Sequence, residues 1–263
     1  MLLSSPATGD LVTPSQAISE EVRNSWFGML NYNYKERYFL DASIRRDGSS
    51  LFAEGHQWGT FGAVAAMWNI TNDNFMEPTK SWLNDLQLRV SYGSTGNSGI
   101  DPYMALGLVG STSNRYMDQG GTAIANAGNE DLTWETVKTF NLGLSGRVFD
   151  RVDFDFQFYN KITSDMLMSI PYSYTTGFSS GYGNVAEMRN RGFDFTISAD
   201  IIKTKDWYWN VKLNGNYNKN EITKLFQNMD SYVLGDFQML EVGHDVGEFY
   251  MVRWSHVGPA DGQ

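Results

Sequence analysis

R-V-F-D-R-V-D-F-D-F-Q-F-Y-N-K, residues Arg147 to Lys161, is the stretch whose reading decides the fold. From Val152 the residues alternate without a break. Val152, Phe154, Phe156 and Phe158 fall on one side, and Asp153, Asp155, Gln157 and Tyr159 on the other. Successive side chains of a β-strand point to opposite faces, so the stretch is an apolar wall backed by a polar one. A soluble antiparallel sheet buries one face under its own core, with modest aliphatics there. Here the apolar side is almost all phenylalanine and its reverse carries two carboxylates, which suits a boundary between lipid and water.

The same pattern recurs on both sides of this strand. Trp26, Gly28, Leu30, Tyr32 and Tyr34 share a face, the polar Lys35-Glu36 follows, and Tyr38, Leu40, Ala42 and Ile44 resume it, which predicts a hairpin. Tyr32, Tyr34 and Tyr38 gather at its turn, where a membrane–water interface places aromatic rings. A third strand is expected over Trp58 to Ile70, and Leu86, Leu88, Val90 and Tyr92 mark a fourth. Phe140, Leu142, Leu144 and Val148 mark a fifth, joined by the tight Phe149-Asp150-Arg151 turn to the phenylalanine strand. Arg191 to Ile202 and Trp207 to Asn218 give strands seven and eight, and Phe249 to Val257 a last one. Residues 1–24 read as loop. The connections alternate, short at 35–37, 149–151 and 203–206 and medium at 71–84 on one side, longer at 46–57, 93–131 and 163–184 on the other. That asymmetry is characteristic of outer-membrane barrels.

Composition narrows the function classes. The chain has 263 residues, 14% of them aromatic, with 26 glycines, six prolines and no cysteine. Disulfides, cysteine-based zinc sites and thiol catalysis are therefore excluded. A formal net charge of −10 argues against nucleic acid, whose affinity comes from Lys and Arg neutralising phosphates. No run approaches the ~20 apolar residues of a transmembrane helix. The mean hydropathy of −0.38 does not exclude a barrel, in which only alternate residues face lipid.

Catalytic and cofactor signatures are weak. Gly181 to Ala186 fits G-x-G-x-x-A, but that fingerprint must follow a strand and open a helix, and this one enters a strand. Asp153 and Asp155 follow from alternation, so a solvated wall explains them better than a calcium site. His56, His244 and His256 have no metal-ligand spacing. No cofactor is expected. Tyr and Trp in the long loops either stack on flat ligands or pin the loops together.

Several stretches resemble the barrel of SusC/RagA-type TonB-dependent outer-membrane transporters. They are N-Y-N-Y-K-E-R-Y-F-L-D-A-S-I-R-R-D-G-S-S (Asn31 to Ser50), W-L-N-D-L-Q-L-R-V-S-Y-G-S-T-G-N (Trp82 to Asn97) and N-E-D-L-T-W-E (Asn129 to Glu135). F-Y-N-K-I-T-S-D-M-L (Phe158 to Leu167) and N-V-A-E-M-R-N-R-G-F-D (Asn184 to Asp194) continue the series in the family's order, over residues 25–225. Leu51, Gly62 and Arg191 stand where the family commonly has Arg, Pro and Lys.

The resemblance implies an all-β, antiparallel up-and-down transmembrane barrel of 22 strands. It also implies an N-terminal plug, energising by the TonB complex and a SusD-like surface lipoprotein that captures glycans or peptides. About eight or nine strands would be one part of that wall, so the chain is expected to be a barrel fragment without the plug. Transport rather than catalysis is expected. Arg45, Asp47, Asn97, Tyr103, Tyr116, Tyr172 and Tyr174, at loop bases or in long loops, are the candidate ligand contacts. Two alternatives stay open: a complete small barrel with an adhesion or structural role, whose first and last strands pair, and a soluble carbohydrate-binding protein whose aromatic face packs on a second sheet.

Overall fold

The computed structural model describes residues 3–4, 11–12, 18–116, 119–178, 180–234 and 237–252. Eight antiparallel strands follow one another in a single meander: β1 (Arg23–Tyr34), β2 (Tyr38–Ser49), β3 (Trp58–Asn69), β4 (Leu83–Asn97), β5 (Glu135–Val148), β6 (Val152–Pro171), β7 (Ser180–Lys203) and β8 (Tyr208–Lys224). β1 and β8 lie at opposite edges and do not pair, so the sheet is not a closed small barrel.

The register shows why the alternation mattered. Reading across the sheet, Tyr32, Leu40, Ala66, Val90, Leu142, Phe158, Phe193 and Tyr217 sit opposite one another in one row. Tyr34, Tyr38, Trp68, Leu88, Leu144, Phe156, Phe195 and Gly215 make the next row on that face. A one-residue slip anywhere would send a strand's apolar set to the other side, so eight matching strands leave one register. The intervening row on the reverse reads Asn33, Phe39, Met67, Arg89, Gly143, Gln157, Asp194 and Asn216. The apolar face is uncovered: Leu30, Val90, Leu142, Phe156, Phe158, Phe193 and Leu213 are all exposed, and no second sheet or helix of the described residues lies on it. Its rings pack on one another instead, Phe156 on Phe195 at 6.5 Å and Phe193 on Tyr217 at 5.8 Å between centroids. This arrangement removes the soluble-sheet alternative.

Trp26 and Tyr34 bracket the apolar face of β1 and are eight residues apart. That is about 27 Å along the strand, or about 19–22 Å of depth at a tilt of 35–45°, which fits within the ~25 Å apolar band of a barrel. The turn end carries a ring of exposed aromatics, Tyr34, Tyr38, Phe75, Trp82, Phe149 and Trp207. On the polar face Asp155 pairs with Arg89 and Asp153 with Arg147, so these carboxylates belong to ion pairs of the wall.

Two turns use residues that rarely adopt positive φ. Lys35 and Glu36 (53° and 56°), and Phe149 and Asp150 (56° and 55°), occupy the left-handed positions that type I′ hairpins usually give to Asn and Gly. Side chains hold them there. The Asn33 carboxamide accepts from the Glu36 amide at 2.9 Å, and Asn84 accepts from that of Asp150 at 2.7 Å.

Four expectations need correction. The ribbon of β6 and β7 runs on to Pro171 and starts again at Ser180, so the expected loop at 163–184 shrinks to the connection between those two residues. Two apolar clusters cover that ribbon, which is why its alternation fades without its ending. The turn-end connection 70–82, with two short 3-10 turns, is longer than loop 50–57 and than the connection between Pro171 and Ser180, so the short-long segregation is looser than the sequence implied. β1 starts at Arg23, inside the expected loop 1–24, and Leu3–Ser4 pairs with Leu11–Val12. The expected last strand reduces to a bridge between Phe249 and Gln238, and residues 253–257 of it lie outside the described residues.

Candidate functional site: a cleft at the loop end of the polar face

The core lies at the loop end, off the apolar wall. Leu132 is 0% exposed and belongs to one buried cluster with Leu51, Phe52, Phe61, Ile100, Ala105 and Trp134. Trp134 touches Phe52 and Phe61 with ring centroids 5.3 and 5.7 Å away, and its indole N–H donates to the Gln57 carbonyl at 3.1 Å. Leu51 is itself buried here, so the departure from the family's Arg places an apolar side chain where loops cover it. These contacts fold connections 50–57 and 98–134 onto the polar side of the sheet.

Beside this core is a cleft of about 310 Å³, lined among others by Arg23, Ser25, Arg45, Asp47, Asn97 and Trp134. Strand divergence forms it. β3 and β4 pair from Asn69 opposite Gln87 as far as Ala63 opposite Gly93, after which their partners are no longer each other. β3 continues against β2 to Trp58, and β4 against β5 to Asn97. At the fork the Gly62 N–H donates to Ser94 Oγ at 3.3 Å, a bond that a proline at this position could not make. The Phe61 ring lies directly over Gly96 and Gly59, where a Cβ on either glycine would collide with it.

Three of the sequence-derived candidates meet in this cleft. Arg45 Nε is 2.6 Å from Asp47 Oδ1, with the carboxylate largely buried and the guanidinium largely exposed. The Asn97 amide donates to Glu135 Oε1 at 3.3 Å. Among the described residues only Nε of Arg45 is engaged, so its other donors serve the cleft, where the hydroxyls of Ser25 and Ser43 add polar groups and Trp134 presents an apolar edge. Tyr103 and Tyr172 do not line it. The Tyr103 hydroxyl accepts from the Glu20 amide at 3.2 Å, and the Tyr172 ring lies on Gly181. The Tyr116 backbone ends a hairpin strand and that of Tyr174 starts a 3-10 turn, while both side chains lie outside the described residues.

Arg23 and Trp134 line the cleft without having been selected from the sequence. Arg23 was hidden by a misplaced strand start. Trp134 was marked only by the stretch Asn129 to Glu135, with no periodicity to show which way it points. The Gly181 to Ala186 fingerprint lies within β7 and opens no helix, so it cradles no phosphate. Among the described residues no three His, Cys, Asp or Glu side chains gather as a metal site would require.

Comparison with known proteins agrees with this geometry. The family described as TonB dependent receptor-like, beta-barrel, matches residues 4–247. A TonB-dependent receptor of Formosa agariphila is 34% identical over 255 residues, covering 93% of this chain and 25% of that protein. The TonB-dependent receptor SusC of Bacteroides thetaiotaomicron is 35% identical, with 87% and 25% covered. The RagAB peptide importer in its closed-closed state superposes with a TM-score of 0.83 at 37% identity, over 92% of this chain and 27% of that one. The chain thus spans about a quarter of the length of the relatives it matches. With an apolar face open to lipid, a polar reverse and this match, the chain belongs to the TonB-dependent receptor β-barrel family of the outer membrane.

Proposed function

We propose that the chain forms part of the wall and outward-facing loops of a TonB-dependent importer of oligosaccharides or other large nutrients, peptides included. Its role is to hold ligand rather than to transform it. The observation that carries this reading is the position of the cleft, on the water-side face and at the loop end, where ligand would arrive from outside. The mixed lining of a guanidinium, amide, hydroxyls and an indole edge suits hydroxyl-rich or amide-rich ligands. Of the seven expected ligand contacts we retain Arg45, Asp47 and Asn97. For the whole transporter we propose a plug, coupling to the TonB complex and a SusD-like lipoprotein over the loops, as the family resemblance implies.

The test uses the full-length transporter in its native outer membrane, offered a labelled oligosaccharide pool and a labelled oligopeptide pool. Arg45→Gln and Asn97→Ala should each reduce uptake of one pool at least about tenfold, consistent with losing a hydrogen bond to a charged or polar ligand group. Barrel abundance should be unchanged. Uptake at the unmodified level for both variants and both pools would remove the cleft from the transport path.

A further inference from the structure

We infer that Asn184 is a positioning residue: its carboxamide clamps the Thr133 backbone and so fixes the Trp134 wall of the cleft to the ribbon of β6 and β7. Asn184 Oδ1 accepts from the Thr133 N–H at 2.9 Å, while Nδ2 donates to the Thr133 carbonyl at 2.8 Å. Accepting from and donating to one residue reproduces a β-bridge with a side chain. Of the side chains this size, only a carboxamide can do it. Nδ2 also donates to the Asp165 carbonyl at 2.8 Å, where β6 bulges and Asp165 adopts a φ of 55°. One amide therefore holds the loop, the bulge and β7 together.

Thr133 sits between Leu132 and Trp134, which are 0% and 9% exposed. Fixing its backbone fixes both neighbours, one anchoring the core and the other lining the cleft. A second tie runs parallel. Asn129 Nδ2 donates to the Tyr182 carbonyl at 2.9 Å, and Tyr182 packs on the same core. A third reaches Asn97 on the neighbouring strand β4: the Leu167 amide donates to Glu135 Oε2 at 3.3 Å, and Glu135 Oε1 accepts from Asn97. Two lining residues, Trp134 and Asn97, are thus each one relay from the ribbon. The clamp stands on these contacts alone, and only its bearing on ligand contact rests on the importer reading.

Asn184→Asp keeps the shape and the acceptor but loses both donors, and it sets a carboxylate against two carbonyl oxygens. Hydrogen exchange is measured on the full-length transporter in detergent for peptides covering 98–135, with β1 and β2 as reference, alongside Asn184→Gln, and uptake of the labelled pools is measured in the native membrane for the same variants. Exchange in 127–135 should rise at least about tenfold in Asn184→Asp, with partial recovery in Asn184→Gln and no change in the reference strands. Unchanged exchange in 127–135, or an equal rise throughout the sheet, would overturn the proposal. Faster loop exchange with unaltered uptake would uphold the clamp while counting against the cleft's place in transport.

Discussion

Replacing Phe156 with Arg tests the assignment of faces, and the structure allows its cost to be worked out. Phe156 is four residues beyond Val152, where β6 leaves its turn, or about 13 Å along the strand. A strand tilt of 35–45° converts this to about 10 Å of depth, close to the middle of a band ~25 Å tall. A guanidinium at that depth costs ~2–4 kcal/mol, and losing the ring contact with Phe195 adds ~0.5–1.5 kcal/mol. The control is one residue away. Asp155 faces the other side, and both it and its partner Arg89 are 42% exposed, so solvent screening limits Asp155→Asn to at most about 1 kcal/mol. The full-length protein reconstituted in lipid vesicles and unfolded in guanidinium gives both values from the same curves. Similar losses for Phe156→Arg and Asp155→Asn would mean that the phenylalanines do not face lipid, and the reasoning from alternation would fail.

Other substitutions probe the loop end. Leu132→Ala removes a fully covered side chain and should cost ~2–5 kcal/mol of local stability, read as faster exchange in loops 50–57 and 98–134. Protection like that of the parent would show that the cluster does not hold these loops. Gly96→Val drives a side chain into the Phe61 ring and should cost ~1–3 kcal/mol, lowering the temperature at which the barrel loses its compact gel mobility. A mobility transition at the parent's temperature would show that Phe61 is free to swing away. In the loop beyond β8, the hydrogen bond the His244 imidazole donates to the Glu248 carboxylate, with the nearby Glu241 carboxylate, raises the pKa of His244 above its ordinary 6.5. The raised value means the folded loop prefers the protonated ring. Its stabilisation is full below about pH 6.5 and is lost as pH climbs through the folded value. Ring chemical shifts over pH 5–9 should place the His244 midpoint above that of Glu248→Gln, and coincident midpoints would refute the pairing.

Much of the wall was legible because lipid and water act on every second residue. Phe154, Phe156 and Phe158 on one side of Asp153 and Asp155 on the other admit one strand and one register. Glycine-rich β3 was harder, since Gly59, Gly62 and the run Ala63, Ala65, Ala66 carry little contrast between faces. Where the ribbon of β6 and β7 passes the band, Leu167 and Tyr182 pack on one cluster and Met166 and Met168 on another. With apolar cover available to both sides, alternation no longer reports strand, and Thr163 to Asn184 looked like loop. Arg45, Asp47 and Asn97 were accessible as polar residues at strand ends. Their meeting in a cleft depends on the fork between β3 and β4, a pairing event that no local pattern encodes. The clamp at Asn184 was hidden for the same reason, its partner Thr133 being 51 positions away.

The length of β7 has a consequence for how the molecule meets its surroundings. Its 24 residues extend to about 79 Å, whereas a tilted strand needs only 9–11 residues to traverse hydrocarbon. More than half of it therefore stands in water as a stiff mast, paired with β6 down to Ser180 and with β8 down to Glu187 instead of trailing as slack chain. An antibody, phage or neighbouring cell approaching from that side would encounter a fixed shape, and epitopes on this hairpin should survive detergent extraction as folded, conformation-dependent features.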